Sequence, residues 1–326
     1  METPTRLTYK LCMFRLAHIS DVHLGPLPDV TYRELASKRM VGYVNWRRNR
    51  RRLLTEGTLG AILAAIKAAE VDHLAVTGDL VNLALDAELD LARLWLEAVG
   101  APENVSVVPG NHDAYVPGAF NKACSLWAPW MRGDGVEGDL DRRSFPYLRV
   151  RGPVALIGVS TARATAPFMA NGFFREEQAA RLGRVLDEAA RRGLFRIVMI
   201  HHPPVRAAVP QHKRLFGIGL FHKVMRAHGA ELVIHGHSHL PSLFWIGDRA
   251  GLIPAVGVSA AGQGFGGHHP PAQFNLFEID GRPGDWRMRL TRRGFAEPGQ
   301  PIRDIAVMDL VSRRGAPAPF ETTAPG

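Results

Sequence analysis

His18-Ile19-Ser20-Asp21-Val22-His23-Leu24-Gly25 is the stretch from which the fold is read. It closes an apolar run, Met13 to Ile19, and turns polar just before Gly25-Pro26. The run reads as a buried strand over Phe14 to Ser20. In open α/β sheets, sites form beyond the carboxyl ends of the strands. Asp21 and His23 lie two residues apart, so in an extended backbone both side chains project to the same side. Such a pair can hold one side of a hard or borderline cation. An Asp-x-His triplet also arises by chance, so the remaining ligands must come from elsewhere in the chain.

Outward from this stretch the pattern repeats. A helix over Thr55 to Glu70 leads to a strand at His73 to Thr77 and then Gly78-Asp79. A second helix, Asp86 to Val99, leads to Val105 to Val108 and then Gly110-Asn111-His112-Asp113. Units of this kind, each ending in a polar glycine turn, build a βαβ sheet. Residues 115–143 read as an irregular loop region over the site. Strands follow at Tyr147 to Val150 and Val154 to Val159, then a helix at Arg175 to Arg192 whose end charges match the helix dipole. The strand Phe195 to Ile200 ends in His201-His202-Pro203-Pro204. After a helix at Phe221 to His228, the strand Leu232 to Ile234 ends in His235-Gly236-His237-Ser238-His239. Further strands at Leu243 to Ile246, Leu252 to Val258, Phe274 to Ile279 and Trp286 to Thr291 make the second half β-rich, with a more antiparallel sheet.

Five strand ends therefore carry polar blocks that can converge on one edge. Singly, each has a bland explanation: Asp79 as a helix cap, Asn111 in a turn, His201 as a satisfied core histidine. Together they offer two Asp, one Asn and at least four His, too many for one tetrahedral zinc and suited to two ions sharing a bridge. Mixed carboxylate, amide and imidazole donors favour Mn, Fe, Zn or Co over Ca or Mg.

The 326 residues could hold two average domains or, equally, one large α/β domain, and 46% hydrophobic residues suffice for a core and exclude wholesale disorder. No apolar run reaches membrane-spanning length. Residues 1–12, without an apolar signal core, read as an extension, with Met13 as an alternative start. Cys12 and Cys124 read as reduced thiols of a cytoplasmic protein. Residues 13–295 are expected to form the domain, and 296–326 a disordered Pro/Gly/Ala tail. The net charge of +9 invites polyanions. Part of it is concentrated in a basic-aromatic insertion, 33–53. Lys38 to Arg52 holds seven basic residues and no acidic one, with Tyr43 and Trp46 among them. That run is either a solvated helix face or a rim, including Arg47 and Arg48, that attracts phosphate or an anionic membrane surface.

The blocks D-x-H, GD, GNHD, H and GHxH resemble the signature of the calcineurin-like metallophosphoesterases, over roughly residues 14 to 290. The resemblance implies a β-sandwich of two mixed sheets flanked by helices. It implies one metal on Asp21, His23, Asp79 and His239, and a second on Asp79, Asn111, His201 and His237, with Asp79 bridging. His112 would contact the scissile phosphate and Asp113 would orient its ring. His202 and His235 would line the substrate pocket or support it, while His268-His269 reads as a pocket wall or plain loop. Two divalent or trivalent ions about 3.5–4 Å apart would hold a hydroxide for in-line attack, and no Cys, Ser or Thr nucleophile is needed.

The expected substrate is a small phosphodiester, of cyclic-nucleotide or glycerophosphodiester type. The alternative is a lipid-linked phosphodiester or pyrophosphate hydrolysed at the inner face of a membrane, because KR-x-x-G-x-x-N at Lys38 to Asn45 resembles the UDP-diacylglucosamine hydrolases. A nuclease ranks third, since no DNA-binding module or partner-docking coiled coil is evident. A non-catalytic scaffold ranks last, since every ligand block is present.

Overall fold

Short runs of branched and aromatic side chains alternate with amphipathic segments, and each run becomes a strand. The computed structural model describes residues 13–47, 56–247 and 251–310. Its strands are β1 (Phe14–Ile19), β2 (His73–Val76), β3 (Val105–Val107), β4 (Tyr147–Arg151), β5 (Val154–Gly158), β6 (Gly172–Phe173) and β7 (Phe195–Met199). They continue with β8 (Leu215–Phe216), β9 (Leu232–His235), β10 (Leu243–Gly247), β11 (Leu252–Gly257), β12 (Gln273–Arg282), β13 (Asp285–Gly294) and β14 (Arg303–Asp309). The helices are α1 (Tyr32–Leu35), α2 (Arg39–Asn45), α3 (Glu56–Ala68), α4 (Asp86–Val99), α5 (Ala119–Leu126), α6 (Ala128–Met131), α7 (Glu176–Arg191) and α8 (Ile218–His228).

Two six-stranded sheets face each other, in the orders β14-β13-β12-β1-β2-β3 and β10-β11-β9-β7-β5-β4, beside a small β6-β8 pair. Both are mixed, as expected, but the late strands do not form a separate antiparallel sheet: β12, β13 and β14 extend the first sheet beside β1, and the second is mainly parallel. β1, β2 and β3 run parallel, with β12 antiparallel to β1. β5, β7, β9 and β11 run parallel, with β4 and β10 antiparallel at the edges. The period-two alternation of a strand divides the core between two layers. In β7, Ile197 and Met199 join the interior with Leu16, Phe274 and Phe277. Val198, and Ile200 just beyond the strand, pack instead with Leu186, Phe221 and Met225 under α7 and α8. The parallel strands of both sheets end at one edge, where the polar blocks are.

Two further expectations are corrected. The 115–143 region is not an irregular loop. It contains α5 and α6; Phe120 of α5, Trp127 between the two helices and Trp130 of α6 are buried, with the Trp127 indole donating to the Leu89 carbonyl at 3.0 Å. The glycines and tryptophans masked a short amphipathic helix that packs on α4. The expected disordered tail also begins too early: β14 pairs antiparallel with β13, Ile302 and Met308 pack on the core, and Leu310 is buried. Flanking Pro and Gly hid a seven-residue strand. Residues 1–12, the basic run from Arg48 to Arg52 and residues 311–326 lie outside the described residues. Among the described residues, no helix is long and apolar enough to cross a membrane.

Candidate metal centre

Beyond β1 the chain does not stay extended. Asp21 and His23 both adopt positive φ, 53° and 45°, so their convergence comes from two left-handed kinks and not from strand periodicity. The kinked stretch runs beside the loop after β2: the N–H groups of Asp21, His23 and Leu24 donate to the carbonyls of Gly78, Asp79 and Leu80 at 2.8–2.9 Å. Asp79, His237 and His239 are also left-handed, at 55°, 67° and 57°. Non-glycine residues in this region are strained, and such strain persists where surrounding structure holds it. Gly236 has a separate reason: a Cβ there would lie 1.8 Å from Ser20 Oγ.

The side chains from both sheets meet. Asp21, His23 and His239 form one group, and Asp21, Asp79 and His201 another, with potential ligand atoms within 4.8 Å of one another. Asp79 Oδ2 lies between them, 3.4 Å from His201 Nε2 and 3.9 Å from His23 Nε2. His201 Nε2 is also 3.1 Å from Asn111 Oδ1. Asp21 Oδ1 faces His239 Nε2 at 3.2 Å, while Asp21 Oδ2 accepts from the His237 N–H at 2.9 Å. Three imidazoles are steered by backbone carbonyls. His23 Nδ1 donates to Val81 O (3.0 Å), His201 Nδ1 to Thr77 O (2.6 Å) and His237 Nε2 to Lys213 O (2.9 Å). A carbonyl on one ring nitrogen fixes the tautomer and presents the other nitrogen as a ligand.

The electrostatics are compatible with a cation. Asp21 and Asp79 are both buried. Burial alone would raise their pKa values, but the neighbouring histidines, His239 beside Asp21 and His201 beside Asp79, hold both well below the usual carboxylate range. Burial works against charge on His201, yet Asp79 outweighs it and the pKa is pushed up to about 9. Two buried carboxylates with imidazole and amide oxygen donors around them fit a pair of borderline divalent cations.

Of the remaining expected residues, His112 sits at the rim, edge-on to His23 at 4.8 Å, with Nδ1 2.5 Å from Asn82 O. Asp113 takes a different role from the one expected. Instead of orienting the His112 ring, its carboxylate accepts from the backbone N–H groups of Asp79, Leu80, Val81 and Gly110 at 2.7–3.2 Å. It thereby clamps two ligand loops together. Burial, with Asp79 nearby, pushes its pKa up to about 7. His202 is fully buried, with Nδ1 on Thr161 Oγ1 (2.7 Å) and Nε2 on Ala170 O (3.2 Å), so it braces His237 from 4.4 Å and does not line a substrate pocket. His235 is likewise fully buried at the end of β9. Arg47 is exposed with its guanidinium over Tyr43.

Sequence reasoning missed Lys38 as a site neighbour. It is half-buried, close enough for Asp79 to oppose the burial that lowers its pKa to about 8. The signal was present in K-R-x-x-G, but as a charge run it pointed outward. The ring of His269, expected as a pocket wall or plain loop, lies 5.3 Å from that of His239.

The profile of the calcineurin-like phosphoesterase family matches residues 14–241. A "Probable cyclic nucleotide phosphodiesterase" of Synechococcus sp. is 26% identical over 243 residues, covering 73% of this chain and 83% of the relative. A dimetal phosphatase from Danio rerio superposes with a TM-score of 0.52 at 15% identity, over 92% of this chain and 99% of the other. A purple acid phosphatase from yellow lupin (Lupinus luteus) gives 0.55 at 12% identity, over 92% of this chain and 54% of the other. At these identities the two structures speak for the fold.

Proposed function

The chain belongs to the calcineurin-like phosphoesterases and is a metal-dependent phosphoester hydrolase, and from that premise we propose that it hydrolyses a small phosphodiester of cyclic-nucleotide or glycerophosphodiester type. In this reading Asp21, His23, Asp79 and His239 hold one ion, and Asp79, Asn111, His201 and His237 hold the second, with Mn, Fe, Zn or Co as the metals. The observation that carries it is the steering of His23, His201 and His237 by carbonyls, with Asp79 Oδ2 between His23 and His201. When bound, two such cations supply a nucleophile from water at neutral pH and neutralise phosphoryl charge. His112, its Nδ1 proton committed to Asn82 O, presents Nε2 to protonate the leaving oxygen or stabilise its charge. Asp113 keeps the loops that bear Asp79 and Asn111 in register. The description of the Synechococcus relative as a probable cyclic nucleotide phosphodiesterase supports the diester class.

The test is turnover with Mn²⁺ of bis(p-nitrophenyl) phosphate against p-nitrophenyl phosphate. The diester should be the faster substrate, and Asp79→Asn should abolish both turnover and the second equivalent of bound metal. A strong monoester preference would overturn the substrate class; metal binding intact in Asp79→Asn would overturn the ligand set.

A second reading, a lipid-linked phosphodiester or pyrophosphate met at an anionic membrane surface, is favoured by one observation. Tyr32 of α1 (94% exposed), Met40 (54%) and Val44 (42%) of α2 and Phe168 (78%) present apolar surface, with Arg47 exposed just after α2. Aromatic and basic side chains together suit a lipid interface. Sedimentation with phosphatidylglycerol vesicles decides it: binding should be lost in Tyr32→Ser/Phe168→Ser, and no binding by the parent chain rejects the reading.

A further inference from the structure

Lys38 and Arg39 head a segment whose charge suggests a solvent-facing surface, yet both side chains turn inward. The Lys38 ammonium donates to Thr165 Oγ1 at 2.5 Å and to Met169 O at 2.8 Å, and lies 4.5 Å from the centre of the Tyr115 ring. Lys38 follows β1 of the first sheet, whereas Thr165 and Met169 belong to the loop after β5 of the second. Arg39 donates through Nε to Leu83 O at 3.0 Å and through Nη2 to Ala84 O at 2.6 Å. Three residues on, Gly42 lies so close to Tyr115 that an added Cβ would stand 2.4 Å from its hydroxyl.

Of the groups that this segment holds, Tyr115 touches His112 directly, and the Leu83 and Ala84 carbonyls adjoin a residue that does. Tyr115 stacks on the imidazole at 5.3 Å with 14° between the planes. Asn82, whose carbonyl accepts the His112 Nδ1 proton, immediately precedes the two carbonyls gripped by Arg39. One face of the ring and one of its nitrogens are thus each backed by the start of α2. A half-buried ammonium over an aromatic ring contributes more than an exposed one, and burial lowers the Lys38 pKa to about 8.

We propose that Lys38 and Arg39 are positioning residues for His112: they lock Tyr115 and Asn82 so that the imidazole Nε2 is held where the leaving oxygen departs. The inference rests on the phosphodiesterase reading above, with His112 as proton donor. The step is a transfer of one proton from Nε2 of the His112 imidazolium to the ester oxygen as the P–O bond breaks, which leaves the neutral ring with its Nδ1–H on Asn82 O; water supplies the oxygen gained by phosphorus, and its proton restores the imidazolium.

The test compares two leaving groups. p-Nitrophenolate leaves bis(p-nitrophenyl) phosphate with little help from a proton, whereas the ribose alkoxide of 3′,5′-cyclic AMP, or the alkoxide of a glycerophosphodiester, needs one. Misplacing a general acid should cost roughly tenfold or more in kcat on the alkyl ester and under about threefold on the nitrophenyl ester. Lys38→Met should show that split, with KM and bound metal unchanged, and Lys38→Arg should recover most of it. His112→Ala should show the same split, and adding Lys38→Met to it should cost nothing more. Equal losses on both esters, or losses that multiply in the double variant, overturn the proposal. If Lys38→Met fails to fold, Arg39→Lys is read by the same ratio. Absence of diester turnover in the parent enzyme would instead refute the substrate reading. In that case histidine side-chain NMR still tests the brace: one Nδ1–H tautomer for His112 in the parent chain and exchange between tautomers in Lys38→Met are expected, and an unchanged signal overturns it.

Discussion

His73 opens β2 with Nε2 2.8 Å from Ser106 Oγ of β3, far from the ligand cluster. Burial, with Arg151 and Arg149 nearby, lowers its pKa to about 3, so the folded chain holds it neutral. A histidine depressed in this way contributes its stability above the unfolded value near 6.5 and loses it as pH falls from there towards 3, at up to about 1.4 kcal/mol per pH unit. His18, His202 and His235 are depressed in the same direction, to about 3, 3 and 4. Urea denaturation of the metal-free protein should therefore show stability falling between pH 6.5 and 4, and His73→Gln should remove one share of the slope. An unchanged slope in that variant would mean that His73 is already charged in the fold. At this scale, residue types made the candidate cluster legible, because few sequences place Asp, Asn and His after successive strands. Their partners were not legible. The acceptors for His23, His201 and His237 are main-chain carbonyls, which every residue carries, and Asp113 likewise satisfies backbone N–H groups rather than a side chain.

Among the elements, β14 shows what composition conceals. Arg303–Asp309 covers the outer edge of β13, and Leu310 just beyond it is buried. Removing residues 302–326 should expose that edge to pairing with other chains. Loss of the Leu310 and Met308 contacts should cost about 2–4 kcal/mol. The expected result is a lower Tm and concentration-dependent aggregation, with metal stoichiometry retained, because β13 and β12 stand between β14 and the β1 strand that leads to Asp21. A Tm equal to that of the full chain would show the strand to be dispensable. The long amphipathic elements were readable from their periodicity: α7 runs Glu176–Arg191, within a residue of the expected helix at either end. α5 is eight residues long and α6 four, too short for a 3.6-residue period to stand out, and their tryptophans became visible as core only through packing on α4.

For the molecule as a whole, the two sheets supply different parts of one cluster: Asp21, His23, Asp79 and Asn111 follow strands of the first, and His201, His237 and His239 follow strands of the second. Cations held between them would join the halves of the sandwich. Ligand at a thousand times its Kd adds about 4 kcal/mol of stability, which for a chain of this size is roughly 10 °C in Tm. Mn²⁺ should raise Tm by that order over protein in EDTA, and Asp79→Asn should abolish the rise; a rise that survives Asp79→Asn would place the stabilising ion elsewhere. The left-handed backbone at Asp21, His23, Asp79, His237 and His239 carries a consequence for inheritance. Each such residue costs on the order of 1–3 kcal/mol, so a replacement by glycine would relax the backbone as it removes a proposed ligand. Selection for stability alone would erode these positions first, and a lineage released from catalysis would drift towards sturdier, inert copies of the same sandwich.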